Sequence, residues 1–353
     1  MSYHEEIDII NKIRLRRQLE RLPPYCTDFF RGIETKTESK TRVAYSYDLQ
    51  RFFKYLMEIN TEIKDIKDIT LRYLENLPIS VFEKYMQYLK YKVKNGLITV
   101  VNNNSGINRN ISTLKSFYSY MEKTERIHRN PTLCIDLPKI PAKDIVRLEP
   151  DEIVKLLDIV ESGETLTKSQ RKYHEKNKLR DLAILTLLLG TGIRISECIG
   201  LDINDIDLKS CGMKVHRKGG NEVTVYFSDE VCDALKNYLE YRKDIIPLPN
   251  FENALFLSIR RSRISIGAVE NLVKKYSQKV TPSKNITPHK LRSTYGTSLY
   301  RITGDIYLVA DVLGHSDVNT TKKHYAAIEE DRRRSARNKV KLRAFEFMGS
   351  NHK

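Results

Sequence analysis

The 353-residue sequence has no tryptophan, and its five cysteines are scattered and odd in number. Without tryptophan there is no Trp-anchored basic amphipathic helix to lie on a membrane surface. Cys26, Cys134, Cys198, Cys211 and Cys232 form no tight Cys-x2–4-Cys pair, which excludes a zinc module of that kind. The same scatter suits no disulfide scaffold and points to a reducing compartment. Long apolar runs are missing too. The longest, around Leu182–Leu189, is far short of the ~20 residues that span a bilayer. The first residues, Met-Ser-Tyr-His-Glu-Glu, place no apolar stretch behind a basic start, so no secretory signal is expected. The expectation is a cytoplasmic protein that touches no membrane.

What the chain has instead is positive charge: 61 Lys and Arg against 45 Asp and Glu, a formal +16. Residues 1–140 hold 24 basic and 17 acidic side chains, and the remainder holds 37 and 28. A surplus shared by both halves suits two lobes gripping one polyanion better than one domain with a basic tether, and nucleic acid is the first candidate. The plain alternative is that the charge only keeps the protein soluble.

Length and punctuation suggest two domains. Pro138 and Pro141 bar a continuous helix and mark a linker over 138–148. Before it, residues 25–137 carry helical patterns. Tyr45, Leu49, Phe52, Phe53 and Leu56 define a helix over 39–57, and Phe82, Tyr85, Met86 and Leu89 a helix over 80–92. Ile107, Ile111, Leu114, Tyr118 and Met121 define a third, with Ser105 as its cap and a polar turn over 94–105 before it. An all-helical bundle of about four helices is expected, preceded by a separate, amphipathic, Arg-rich leader over 1–24. After the linker, helices are expected over 149–160, 179–189, 229–242, 266–278, 287–300 and 305–313, with a polar insert over 161–177. Two period-2 runs, 213–216 and 223–226, flank Lys218-Gly219-Gly220-Asn221 as a hairpin, and 255–257 is a possible third strand. The fold class is mainly α in two domains, with a small antiparallel sheet in the second.

Three clusters carry chemistry. In Gly190-Thr191-Gly192-Ile193-Arg194-Ile195-Ser196-Glu197 the glycines end one helix and Arg194 opens the next, with Glu197 at i+3 to fix its fork. Taken alone, this is also an ordinary intrahelical ion pair. In Thr287-Pro288-His289-Lys290-Leu291-Arg292, proline suits the first turn of a helix, and His289 and Arg292 share a face beside its positive end, an arrangement fit for an anion. In Leu313-Gly314-His315-Ser316-Asp317, Gly314 closes a helix and His315 sits in the turn, with Tyr325 ten residues on. One tyrosine among twenty is by itself a packing residue.

The order of these blocks, with the lysine hairpin between the first two, resembles the tyrosine recombinase (phage integrase) family from about residue 149 to Tyr325. It is most similar to the Xer branch and its lone-Xer members, which share the approach Lys176-Asn177-Lys178-Leu179-Arg180-Asp181-Leu182-Ala183-Ile184. The resemblance implies a SAM-like core-binding domain over 25–137, a catalytic domain over 149–328 and a basic segment over 329–353 that docks on a neighbouring protomer. It further implies that Tyr325 attacks a scissile DNA phosphate to give a 3′-phosphotyrosyl link. Arg194, Arg292 and His315 would hold the phosphate oxygens, Lys218 would protonate the leaving 5′ oxygen, His289 would assist the nucleophile, and Glu197 would orient Arg194. Exchange of a phosphodiester for a phosphotyrosyl ester conserves bond energy, so no cofactor and no obligatory metal is implied. The implied partners are double-stranded DNA with inverted half-sites, three further copies in a homotetramer, and a possible motor or accessory activator. The role would be chromosome partition by dimer resolution, or DNA integration and excision of a mobile element.

The sequence departs from the family pattern in three places. Ser293 follows Arg292 where many relatives have His, His324-Tyr325-Ala326-Ala327 lacks the common Tyr-x-His ending, and no second lysine follows Lys218. A metal nuclease is a poorer match, because Asp202, Asp205 and Asp207 lack the spacing of a Ca²⁺ loop and read as a solvated turn. A type IB topoisomerase shares the chemistry, but the helical N-terminal domain and the residues beyond Tyr325 argue against it. A non-catalytic DNA-binding protein of the same fold would lack an arginine or the tyrosine, and all are present.

Overall fold

The computed structural model of the chain describes residues 3–94, 97–100, 102–141, 145–217 and 220–314. Residue contacts divide the chain into two units, Met1–Lys143 and Asp144–Lys353.

The first unit contains α1 (Tyr3–Leu19), α2 (Tyr25–Gly32), α3 (Ser39–Ile59), α4 (Leu71–Glu75), α5 (Ile79–Lys90), β1 (Tyr91–Lys94), β2 (Leu97–Val100) and α6 (Asn104–Lys123). The helical periodicities place their residues inward: Leu49, Phe52, Phe53 and Leu56 of α3 and Ile107, Ile111, Leu114, Tyr118 and Met121 of α6 are all buried. Aromatic rings fill the space between helices, with Phe117 edge-on to Phe29 at 5.4 Å and Phe52 stacked on Phe82 at 5.5 Å. Three local expectations change. Helix α6 is capped by Asn103, whose side chain accepts from the Gly106 amide at 3.0 Å, and not by Ser105. The expected polar turn over 94–105 holds β2, and its antiparallel partner β1 takes the last two residues of the helix expected over 80–92, so the unit is not wholly helical; the register sets Lys94 opposite Leu97. The leader is not separate. Helix α1 packs on α3, and Leu15 and Leu22 belong to the shared core. Nor is α1 cleanly amphipathic, since Ile7, Ile9 and Ile13 remain exposed.

The second unit contains α7 (Pro150–Ser162), α8 (Lys168–Thr191), α9 (Ile195–Gly200), β3 (Ile206–Asp207), β4 (Gly212–His216), β5 (Glu222–Tyr226), α10 (Asp229–Lys243), α11 (Ile266–Val280), α12 (Pro288–Thr303) and α13 (Ile306–Leu313). The strands form an antiparallel sheet in the order β3-β4-β5. Helix α8 is the spine, packed by α7, α10 and α12, and its Ile184, Leu185 and Leu188 are fully buried or nearly so. It begins eleven residues earlier than the helix expected from residue 179. Thr167 accepts from the Gln170 amide while the Gln170 side chain accepts from the Thr167 amide, so a capping box starts a polar first half. The third strand is β3, not 255–257. Leu255, Phe256 and Leu257 are all buried, but the only pairing around them among the described residues is two isolated bridges, Asp202–Ala254 and Leu257–Arg263. Asp202, Asp205 and Asp207 form a turn in which Asp205 caps the Asp202 amide at 2.8 Å. Among the described residues no helix is long and apolar enough to cross a membrane.

Candidate active site

The site begins where α8 stops. Gly192 takes φ 64°, and its amide returns to the Leu188 carbonyl at 3.1 Å. A Cβ here would also lie 2.5 Å from the Tyr295 ring and 2.9 Å from Leu313, so two separate constraints require glycine. The sharp stop lets Arg194 act as the cap residue of α9. Glu197, buried three residues on, accepts from the Arg194 backbone amide and from its Nη1, both at 2.7 Å. A buried carboxylate held by two charge-assisted or backbone donors fixes the guanidinium plane before any ligand arrives. Arg194 Nη2 donates to the Gly314 carbonyl at 3.0 Å.

Arg292 lies in the first turns of α12 and is 5% exposed. Its Nη1 donates to the Gly192 carbonyl at 2.6 Å and its Nη2 to the Leu313 carbonyl, so one side chain joins the ends of α8 and α13. Pro288 occupies the start of α12, where its missing amide costs nothing. His289 is exposed one residue on, and Ser293 donates to the His289 carbonyl at 3.1 Å. Ser293 therefore closes the local backbone.

Helix α13 is capped at its start by Asp305 and at its end by Gly314, φ 61°. Three guanidinium groups meet this end. Arg217 donates to the carbonyls of Asp311 (3.2 Å) and Val312 (2.8 Å), Arg292 to Leu313 and Arg194 to Gly314. Terminal carbonyls lack partners further along the helix and carry its partial negative charge, so cations settle there. The result is a ring of preset arginines around the turn that leads into His315. A centre of this kind suits an anion with several oxygens, because its donors are aligned before binding.

Lys218, His315 and Tyr325 lie outside the described residues. Lys218 follows Arg217 in the chain and His315 follows Gly314, so two of the three are direct sequence neighbours of residues at the site. The final segment, 329–353, also lies outside. Arg217 was not anticipated; a second basic residue beside the tip lysine was its only local signal.

A second basic cluster lies in the first unit. Asp48 is buried and accepts from Arg109 (2.9 Å), Arg51 (3.4 Å) and Thr113 (3.1 Å). Burial pushes the Asp48 carboxyl above its ordinary range, while Arg109, Thr113 and Arg51 pull it back. Arg51 and Arg109 are themselves 42% and 53% exposed. One inner carboxylate thus orients two surface guanidinium groups, and Arg51 borders a cavity of about 380 Å³ with Gln50 and Lys54.

The phage integrase family model matches residues 146–332, and the N-terminal SAM-like domain of phage integrases matches residues 27–125. Tyrosine recombinase XerS of Lactococcus lactis subsp. cremoris (strain MG1363) is 31% identical over 344 residues, covering 88% of this chain and 94% of that protein. Its counterpart in Streptococcus thermophilus (strain CNRZ 1066) is 34% identical over 337 residues, covering 85% and 92%. Among solved structures, the Tn1549 transposon integrase in complex with transposon right end DNA matches with TM-score 0.63 and 21% identity, over 89% of this chain and 99% of that one.

Proposed function

The chain belongs to the phage integrase family and is a site-specific tyrosine recombinase, and from that premise we propose that it cuts and rejoins DNA through Tyr325. The observation that carries the reading furthest is the convergence of Arg194 and Arg292 on consecutive carbonyls at the end of α13. In the proposed reaction a bond forms between the Tyr325 Oη and the phosphorus as the bond to the 5′ oxygen breaks. The phenolic proton passes toward His289, and Lys218 supplies one to the departing 5′ oxygen. Arg194, Arg292 and His315 hold the non-bridging oxygens while negative charge spreads over them, with Glu197 keeping Arg194 in plane. Rejoining is the same exchange run backwards with a 5′ hydroxyl from another strand.

The finer picture is a homotetramer on DNA with inverted half-sites, coupled through 329–353 and working in the cytoplasm, with a motor or accessory protein as a possible activator. It would resolve chromosome dimers or move an element in and out of a genome. The test is covalent capture. The protein is mixed with nicked genomic duplex fragments, denatured in detergent and digested, and the DNA-bearing peptide is identified by mass spectrometry. An adduct on the peptide containing Tyr325 is expected; an adduct on another residue, or none, would overturn the reading.

Binding is expected to weaken steeply with salt as phosphate contacts release counterions. Arg109→Ala should flatten the slope of log affinity against log salt by about one, the signature of a lost phosphate contact. An unchanged slope would take Arg109 off the DNA.

A further inference from the structure

Arg217 points its guanidinium at a helix end, yet nothing in the proposed chemistry uses it. Both of its terminal nitrogens are engaged, with the Asp311 carbonyl at 3.2 Å and the Val312 carbonyl at 2.8 Å. The group lies so close over the turn that a Cβ on Gly314 would sit 2.4 Å from Arg217 Nη1. Its own backbone closes the β4–β5 hairpin: the Arg217 amide donates to the Asn221 carbonyl at 2.8 Å and its carbonyl accepts from Gly220 at 3.2 Å. Arg217, the last described residue of this arm of the hairpin, is thereby tied to the last turn of α13. Little else in the tip's sequence could fix it, since Gly219 and Gly220 have no side chains and Gly220 takes φ 84°.

We propose that Arg217 is a positioning residue that pins the hairpin carrying Lys218 to the end of α13, so that the proton donor for the leaving oxygen is held in register with the arginine clamp. The inference rests on the reading of Lys218 as that donor. Bidentate geometry matters here. A lysine at 217 keeps the charge but presents one point donor, not a planar fork that serves two carbonyls at once. Gly314 belongs to the same device, because a side chain there would be strained at φ 61° and would push Arg217 off its carbonyls.

The test compares single-turnover cleavage of two DNA substrates by the full-length protein. One carries the natural 5′-bridging oxygen and the other a 5′-bridging sulfur at the scissile phosphate. A thiolate leaves without a proton, so loss of proton donation alone is silent on sulfur. Arg217→Ala is expected to cut the oxygen substrate ~10²-fold more slowly and the sulfur substrate within about threefold of wild type, the pattern of lost general-acid catalysis. Arg217→Lys should fall about tenfold on oxygen with the same rescue, and it retains a cation at the helix end if the alanine variant folds poorly. Lys218→Ala run alongside separates the two levels of the argument. If Lys218→Ala is not rescued by sulfur, Lys218 is not the donor and the proposal falls with it. If Lys218→Ala is rescued but Arg217→Ala slows both substrates equally, or neither, Arg217 does not act through the donor and the proposal alone is overturned.

Discussion

Arg292→Ala is expected to lower the rate of DNA cleavage by ~10³-fold or more, at the upper end of what loss of one preset donor to a transition-state oxyanion costs. The side chain presents its fork from a buried position, 5% exposed, between the ends of two helices. Donors fixed in this way need no reorganisation as charge spreads over the phosphate, and an alanine supplies neither a hydrogen bond nor a charge to replace them. A stability effect accompanies the catalytic one. The Gly192 and Leu313 carbonyls lose a donor, at about 1–3 kcal/mol for each buried acceptor that water cannot reach. Arg292→Lys separates the two effects: it keeps the charge but cannot reach both carbonyls and the phosphate, and a loss of about 10²-fold is expected. Cleavage is read in single-turnover experiments on a nicked substrate, and affinity is read separately at the same salt. Affinity should stay within a few-fold, since one contact among many carries little of the binding. Cleavage by Arg292→Ala within tenfold of wild type would remove Arg292 from the chemistry.

The contrast between Arg194 and Arg217 shows what the sequence could reveal. Arg194 and Glu197 are three residues apart on one short helix, and Gly192 announces that helix, so their pairing is local and readable. Arg217 finds its partners 94 and 95 residues away, and no period or spacing in the chain records that encounter. The same division runs through the fold. Helices with an apolar stripe, such as α3, α6 and α11, were legible because burial on one face imposes the 3.6-residue period. The first half of α8 was not, since most of its residues face water, the two that are buried, His174 and Asn177, are polar, and only the Thr167–Gln170 capping box marks its start. The hairpin β1–β2 was not legible, although Asn95-Gly96 is a strong two-residue turn signal, because Tyr91 and Lys92 also extend the helical run that ends at Lys90. Asn103 displaced Ser105 as the α6 cap for a similar reason: several adjacent residues can each cap, and backbone geometry decides among them. Asp48 lies among readable helix positions, but its inward role depends on Arg109 and Thr113 from α6.

Asp181→Ala is expected to cost about 3–5 kcal/mol of stability while leaving cleavage by the folded fraction unchanged. Asp181 is 1% exposed on α8 and holds three partners. Arg180 donates to its Oδ1 at 2.6 Å, and Lys275 and Tyr276 of α11 donate to its Oδ2 at 3.1 and 3.0 Å. Arg180 reaches onward to the Leu257 carbonyl at 2.9 Å, so the carboxylate links α8, α11 and the 255–257 segment. Burial, and next the Asp181 charge, raises the Tyr276 hydroxyl well above the ordinary tyrosine range, which keeps it a donor throughout the working pH range. Removing the carboxylate leaves two partly buried cations, Arg180 and Lys275, without their shared counter-ion, which is the expensive way to break such a network. Against a total stability of about 5–15 kcal/mol for a folded domain, a loss of this size leaves little margin. Asp181→Asn keeps the volume and one acceptor oxygen, so it should cost less and remain foldable for assay. The position lies ten residues before the end of α8, about 15 Å along the helix axis from the arginine ring. Its substitution should therefore shift the denaturant midpoint and spare the single-turnover rate. A midpoint unchanged from wild type would show that the network is replaceable by solvent, and a slowed rate with full stability would place Asp181 in the reaction itself.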